Sequence, residues 1–183
     1  MKQTVRYLLV MLILACAGIG AARADKSADV TGSLPAVPMG SASGLPVPRF
    51  VSLKADKVNM HIGPAKHYEV KWLYQRAGLP VEITAEFENW RRIRDSDGTE
   101  GWVYHSLLSG RRTGVAMAKS KDELISVYDR PDAKASVTAQ LQPGVQGAVK
   151  RCNASWCRVI GQGFDGWVPQ VRLWGVYPDE KVE

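Results

Sequence analysis

The chain has 183 residues, enough for one ordinary domain or two small ones. Its net charge of +6 is modest, and Lys2, Arg6 and Arg23, which sit in an export-type leader, supply half of it. A basic surface for nucleic acid therefore has little support, while attraction to an anionic polymer such as cell wall is allowed.

Lys2 and Arg6 flank an apolar run, Tyr7 to Ala15, and Ala22-Arg23-Ala24 offers a small-x-small cleavage site before Asp25. This is the pattern of a secretory signal peptide over residues 1–24. Gly18 and Gly20 interrupt the run too early for a permanent membrane span. The mature protein is thus expected to be periplasmic or secreted, with no membrane span. Cys16 leaves a second route open: Ile13-Leu14-Ala15-Cys16 resembles a lipobox, and lipidation there would anchor the chain in the envelope.

Residues 25–49 are rich in Ala, Ser, Gly and Pro, carry no aromatic residue and have no apolar period. They are expected to be a disordered tether. Pro35-Ala36-Val37-Pro38 has the spacing of a polyproline II ligand, so docking of this segment on the chain's own groove is an open alternative to a plain linker.

From Phe50 the pattern changes. Val58, Met60 and Ile62 alternate with polar residues, as do Val70, Trp72 and Tyr74, and then Val81, Ile83 and Ala85. Gly63-Pro64, Gly78-Leu79-Pro80 and Asp95-Ser96-Asp97-Gly98 are turns. Trp90 to Arg94 and Gly101 to Tyr104 complete five short strands, which argues for a small barrel over residues 50–110. Ser109 to Gly114 reads as a basic connector. The pattern then restarts, with Ile125 to Arg130 standing where Val58 to Gly63 stood. The Trp-x-x-aliphatic strand and the Gly-Trp-Val strand recur as Trp156 to Val159 and Gly166-Trp167-Val168. A composite signature repeated about 65 residues on is an internal repeat. A second barrel is expected over residues 115–178, followed by a frayed tail at 179–183. The recurring Gly-Trp-Val tryptophans are expected to be packed rather than displayed, because large aromatics dominate small cores.

Cys152 and Cys157 bracket Asn153-Ala154-Ser155-Trp156. A four-residue hairpin loop would set them opposite each other, and an exported protein meets an oxidising compartment, so a disulfide is expected. The repeat maps the pair onto Glu86 and Arg91, which could form an opposite-charge cross-strand pair. The two copies would then brace one hairpin with different chemistry.

Taken together, residues from about Phe50 to Pro178 resemble tandem bacterial Src-homology-3-like domains of exported proteins. Val58 to Pro64, the Gly78 and Gly144 turns, and the two Trp and Gly-Trp-Val strands carry the resemblance. It implies an all-β fold of two five-stranded barrels and a binding or targeting role, often toward peptidoglycan or protein partners in the envelope. His61 and Ile62 replace the family's usual Arg-Ser, so ligand contacts of relatives do not transfer.

His61, His67 and His105 lack metal-site spacing, and no nucleophile elbow or phosphate loop is present. Neither catalysis nor a metal or cofactor is expected. Candidates for a ligand groove are His61, Tyr68, Tyr74, Trp90 and Tyr104. The expected function is a non-enzymatic module that binds peptidoglycan peptide or an envelope protein. The alternative is an adaptor or structural module with no cell-wall ligand.

Overall fold

A computed structural model describes residues 37–183. The leader, Cys16, and residues 25–36 of the expected tether lie outside the described residues.

Seven strands form the first sheet: β1 (Arg49–Leu53), β2 (Val58–His61), β3 (Val70–Tyr74), β4 (Pro80–Phe87), β5 (Trp90–Arg94), β6 (Glu100–Tyr104) and β7 (Leu108–Ser109). A single 3-10 turn, His105–Leu107, precedes β7. The second sheet repeats the set as β8 (Thr113–Ala116), β9 (Ile125–Tyr128), β10 (Val137–Leu141), β11 (Gln146–Asn153), β12 (Trp156–Gly161), β13 (Phe164–Pro169) and β14 (Leu173–Trp174), with β15 (Lys181–Val182) added. The strand orders, β3-β2-β6-β5-β4-β1-β7 and β10-β9-β13-β12-β11-β8-β14, are the same order seven strands apart. Each sheet curls into a small barrel, so the fold is all-β with two SH3-like barrels in tandem.

Alternation decides which residues fill each barrel. Val58, Met60, Val81, Ile83, Ile93 and Val103 are fully or almost fully buried in the first, and Ile125, Val127, Cys157, Val159 and Val168 are so in the second. Gly101 and Gly166 explain why glycine precedes tryptophan in both copies. A Cβ on Gly101 would meet Met60 and the His61 carbonyl at 2.6 and 2.8 Å, and one on Gly166 would meet the Tyr128 carbonyl at 2.6 Å. Only a residue without a side chain lets β6 cross β2, and β13 cross β9, this closely. With Gly101 and Val103 facing inward, Trp102 must face outward. Trp102 and Trp167 are accordingly half-buried on the barrel surface, not core residues as expected.

Several other expectations change. Thr113 and Gly114, read as connector, begin β8 and are buried. β1 has no clear signal either, yet it pairs with both β4 and β7. The tail is not frayed: Lys181 and Val182 pair with Asn153 and Cys152. Glu180 accepts hydrogen bonds from Arg112 at 2.6 and 3.0 Å and from the Tyr177 amide at 2.8 Å. An ion pair and a strand ladder are local restraints that a charged terminal sequence does not advertise.

The described end of the expected tether is also tied down. Met39 bridges to Pro46, and the Val47 amide donates to the Pro38 carbonyl at 2.9 Å. The anchor is Glu86, whose side chain is fully covered. Its carboxylate accepts from the Ala42 and Ser43 amides, the Ser43 hydroxyl and Arg49, at 2.7 to 3.1 Å. Arg91 lies opposite at 3.3 Å. Burial alone would push this carboxyl up; the hydrogen bonds from Ser43, Arg49 and Ala42 outweigh it and bring it down to about 2.

The barrels are joined by specific contacts. The Thr113 hydroxyl donates to the Gly78 carbonyl at 2.7 Å and Ser52 donates to the Arg111 carbonyl at 2.6 Å. Phe50 of the first barrel packs edge-on against Trp174 and also against Tyr177, with ring centroids 5.1 and 4.6 Å apart. The Tyr177 hydroxyl donates to Glu82 at 2.8 Å, and Arg94 holds the other oxygen of that carboxylate. Gly175, at φ +113°, lets the tail pass between Thr113 and Pro80 where no side chain would fit. A polar and aromatic junction of this kind fixes the two barrels more firmly than a short connector would.

Candidate functional site

The cross-strand braces come first, because they shape the hairpin beside the groove. Cys152 and Cys157 face each other across β11 and β12 and form a disulfide with Cα atoms 4.1 Å apart. Glu86 and Arg91 occupy the equivalent register across β4 and β5. The cysteines sit in the core of the second barrel, whereas Glu86 lies under the loop of residues 39–46; Arg91 and Cys157 each follow the first tryptophan of the repeat on its own strand.

That tryptophan, Trp90, lies opposite Tyr104 in the β5–β6 ladder, and with Tyr104 and His61 packed against it only 7% of its surface stays exposed. The Trp90 and Tyr104 centroids are 5.5 Å apart at 86°. The His61 ring reaches the same place from the end of β2 and meets Trp90 edge-on at 5.3 Å. Its orientation is held by the Tyr68 carbonyl, 2.7 Å from Nδ1. A carbonyl can only accept, so Nδ1 carries the proton, and in the neutral ring Nε2 is left as an acceptor. The three rings line a groove of about 450 Å³. Lys57, Lys66, Asn59, Leu73 and Leu107 complete its walls.

Three of the five candidates, His61, Trp90 and Tyr104, are thus brought together. Tyr68 supplies only its backbone carbonyl; its ring covers Gly63 and stacks on His67 at 4.6 Å. Tyr74 is buried, because β3 turns it inward opposite Val58. Its hydroxyl donates to Asp95 at 2.9 Å, and burial followed by the nearby Asp95 carboxylate pushes the phenol well above its usual range. Lys57, Lys66, Leu73 and Leu107 had no sequence signal, since a lysine in a loop looks the same whether or not it rims a groove.

Further along the same two strands, Arg92 lies opposite Trp102 and pairs with Glu100 at 2.6 Å. The second barrel repeats this: Arg158 lies opposite Trp167 and grips Asp165 through two bonds of 2.9 and 2.8 Å. At the groove end the copies differ. Tyr128 stands for His61 and meets Trp156 at 5.3 Å, but Pro169 stands for Tyr104. The lining of the first groove holds no Ser, Cys, Thr, Asp or Glu; its polar groups are Lys57, Lys66, Asn59, His61 and Tyr104. Among the described residues no cluster of three or more His, Cys, Asp or Glu side chains is arranged to hold a metal ion.

No curated protein sequence matches the chain. Among solved structures, NlpC2 and NlpC1 from Trichomonas vaginalis align with 69% and 74% of the chain, each at 11% identity and a TM-score of 0.31. The chain spans about half the length of each, 48% in both cases, and at that distance the likeness bears on neither fold nor function. The family model of the bacterial SH3 domain matches residues 54–110 and again residues 121–175, one match on each barrel. With the repeated strand order and the repeated glycine-tryptophan strands, this places the chain in the bacterial SH3 domain family, with two copies of the domain in tandem.

Proposed function

We propose that this chain is a non-enzymatic binding module of the bacterial cell envelope, and that the groove of its first barrel takes an extended acidic peptide of the cell wall. The observation that carries the reading is the trio His61, Trp90 and Tyr104 lining one groove beside Lys57 and Lys66. Rigid aromatic faces dock extended peptides at little cost in side-chain entropy. Two ammonium groups at the rim attract carboxylates, and Nε2 of His61 is free to accept from a peptide amide. Membership of the bacterial SH3 domain family supports a binding role, and a disulfide between two core cysteines supports a location outside the cytoplasm. The export leader agrees with that location, whether the chain is released or held at Cys16.

The test is co-sedimentation of the mature chain with purified peptidoglycan sacculi at low salt. Retention is expected, and Tyr104→Ala is expected to weaken it about tenfold, as truncation of an interface aromatic does. Tyr104 is only half-buried, so this variant keeps its fold. No retention at low salt removes the cell-wall peptide and leaves an envelope protein as the ligand.

A further inference from the structure

A second cavity, of about 250 Å³, lies away from the aromatic groove, where the mouth of the first barrel meets the second. Its floor is Leu79, Pro80 and Val81 of the first barrel and Val115 of the second. Trp72 stands at its side, 56% exposed. Asp95 and Asp97 project from the β5–β6 turn along the rim.

Folding does not account for Trp72 and Asp97 in this set. The second barrel builds the same elements from Ala139 where the first has Trp72, from Leu141 in place of Tyr74, and from Gly161-Gln162-Gly163 in place of the Asp95 turn. It closes its barrel without an exposed indole or a carboxylate at these positions. An indole more than half exposed is also poorly used as a core residue.

The two carboxylates differ in their duties. Asp95 accepts from the Asp97 and Thr99 amides at 3.1 and 2.8 Å through one oxygen, and from the Tyr74 hydroxyl at 2.9 Å through the other. These bonds orient it but leave its charge uncompensated. Among the described residues no group donates a hydrogen bond to the Asp97 carboxylate. Among the described residues no cation pairs with either. The adjoining groove, which Asp97 also lines, holds two cations, and both are engaged by Glu100: Lys71 donates to its carbonyl at 3.0 Å and Arg92 pairs with its carboxylate at 2.6 Å.

We propose that this cavity is a binding site for a cationic side chain on an alkyl stem, the lysine or arginine of a partner peptide. The apolar floor takes the methylene stem, the Trp72 face takes the cation, and Asp97 with Asp95 neutralises it. The volume suits one side chain rather than a cofactor. Val115 makes the site depend on both barrels, which the junction holds together. This site is independent of the aromatic groove, and either can fail without the other.

The test is a titration of the mature chain with the blocked tripeptide acetyl-Ala-Lys-Ala-amide, with its arginine and norleucine counterparts as the other arms. The Trp72 indole N–H and the Thr99 amide are followed by NMR, the indole signal being assigned through Trp72→Phe. Both signals are expected to move with the lysine or arginine peptide and to stay in place with norleucine. Asp97→Asn, on an exposed residue with no structural bond, is expected to weaken binding about fivefold. Absence of any shift up to about 10 mM peptide, near the weak limit of measurable association, overturns the proposal. So does equal binding of the norleucine peptide, or an unchanged affinity in Asp97→Asn.

Discussion

The two barrels share one strand order and close the same hairpin with different chemistry. In the first, Glu86 faces Arg91; in the second, Cys152 faces Cys157. Each brace also fastens a neighbouring segment. Glu86 holds the loop of residues 39–46 through Ala42 and Ser43, while β15 runs alongside Cys152. The position calls for a cross-link between the two strands, and either an ionic hub or a covalent bond meets that need. The two solutions respond differently to their surroundings: the carboxylate hub is sensitive to protons and the disulfide to thiols.

The largest effect is expected from Glu86→Ala. It strands Arg91 and Arg49 without their partner and frees two amides, a loss of about 3 kcal/mol for breaking a buried ionic group. Hydrogen exchange should rise at Ala42, Ser43 and along β4–β5, with β11–β12 unchanged. Acid provides the same cut without mutation. The folded carboxyl sits at about 2 against an ordinary 4.5, so its contribution is complete above pH 4.5 and is lost as pH falls toward 2. Exchange followed from pH 5 to 2.5 should show the loop of residues 39–46 opening while the hairpin of the second barrel stays protected. Equal loosening of both hairpins would contradict the division of labour.

Cys157→Ser should cost about 2 kcal/mol, the value for a cross-link closing so short a loop. Its effect should be confined to β11, β12 and β15, and dithiothreitol should reproduce it in the wild type, read as a lower thermal midpoint. A reduced protein that melts with the oxidised one would show the disulfide to be dispensable for stability.

A third change sharpens the comparison of the grooves with almost no effect on stability. Pro169→Tyr would give the second barrel the ring that Tyr104 gives the first, beside Trp156 and Tyr128. Stability should move by no more than about 0.5 kcal/mol, as for a surface substitution. Retention on sacculi should rise severalfold if an aromatic trio makes the groove. Unchanged retention would place the binding determinants in Lys57 and Lys66 instead.

Much of this organisation is legible in residue order, and the reason is periodicity. Alternating apolar residues mark β2 to β6 and β9 to β13, and the repeated glycine-tryptophan strands align the copies well enough to map Glu86 and Arg91 onto the disulfide. A two-residue period and a fixed offset along the chain are local properties, so a sequence displays them directly. The same rule, applied one step further, would have turned Trp102 and Trp167 outward, since the residue between inward Gly101 and Val103 has nowhere else to go.

Other features depend on distant partners. Glu86 meets residues more than 40 positions earlier, Tyr177 meets Glu82 across the junction, and Trp72 shares a cavity with Val115. Residue order alone specifies the barrels, their tandem order and the brace at each hairpin, because short-range pattern dictates strand, turn and register. The fastening of the loop and the tail, the inward turn of Tyr74 and the lysines at the rim of the aromatic groove emerge only on folding. Those outcomes turn on which groups far apart in the chain come within reach of one another, and that is settled by the packing of the whole.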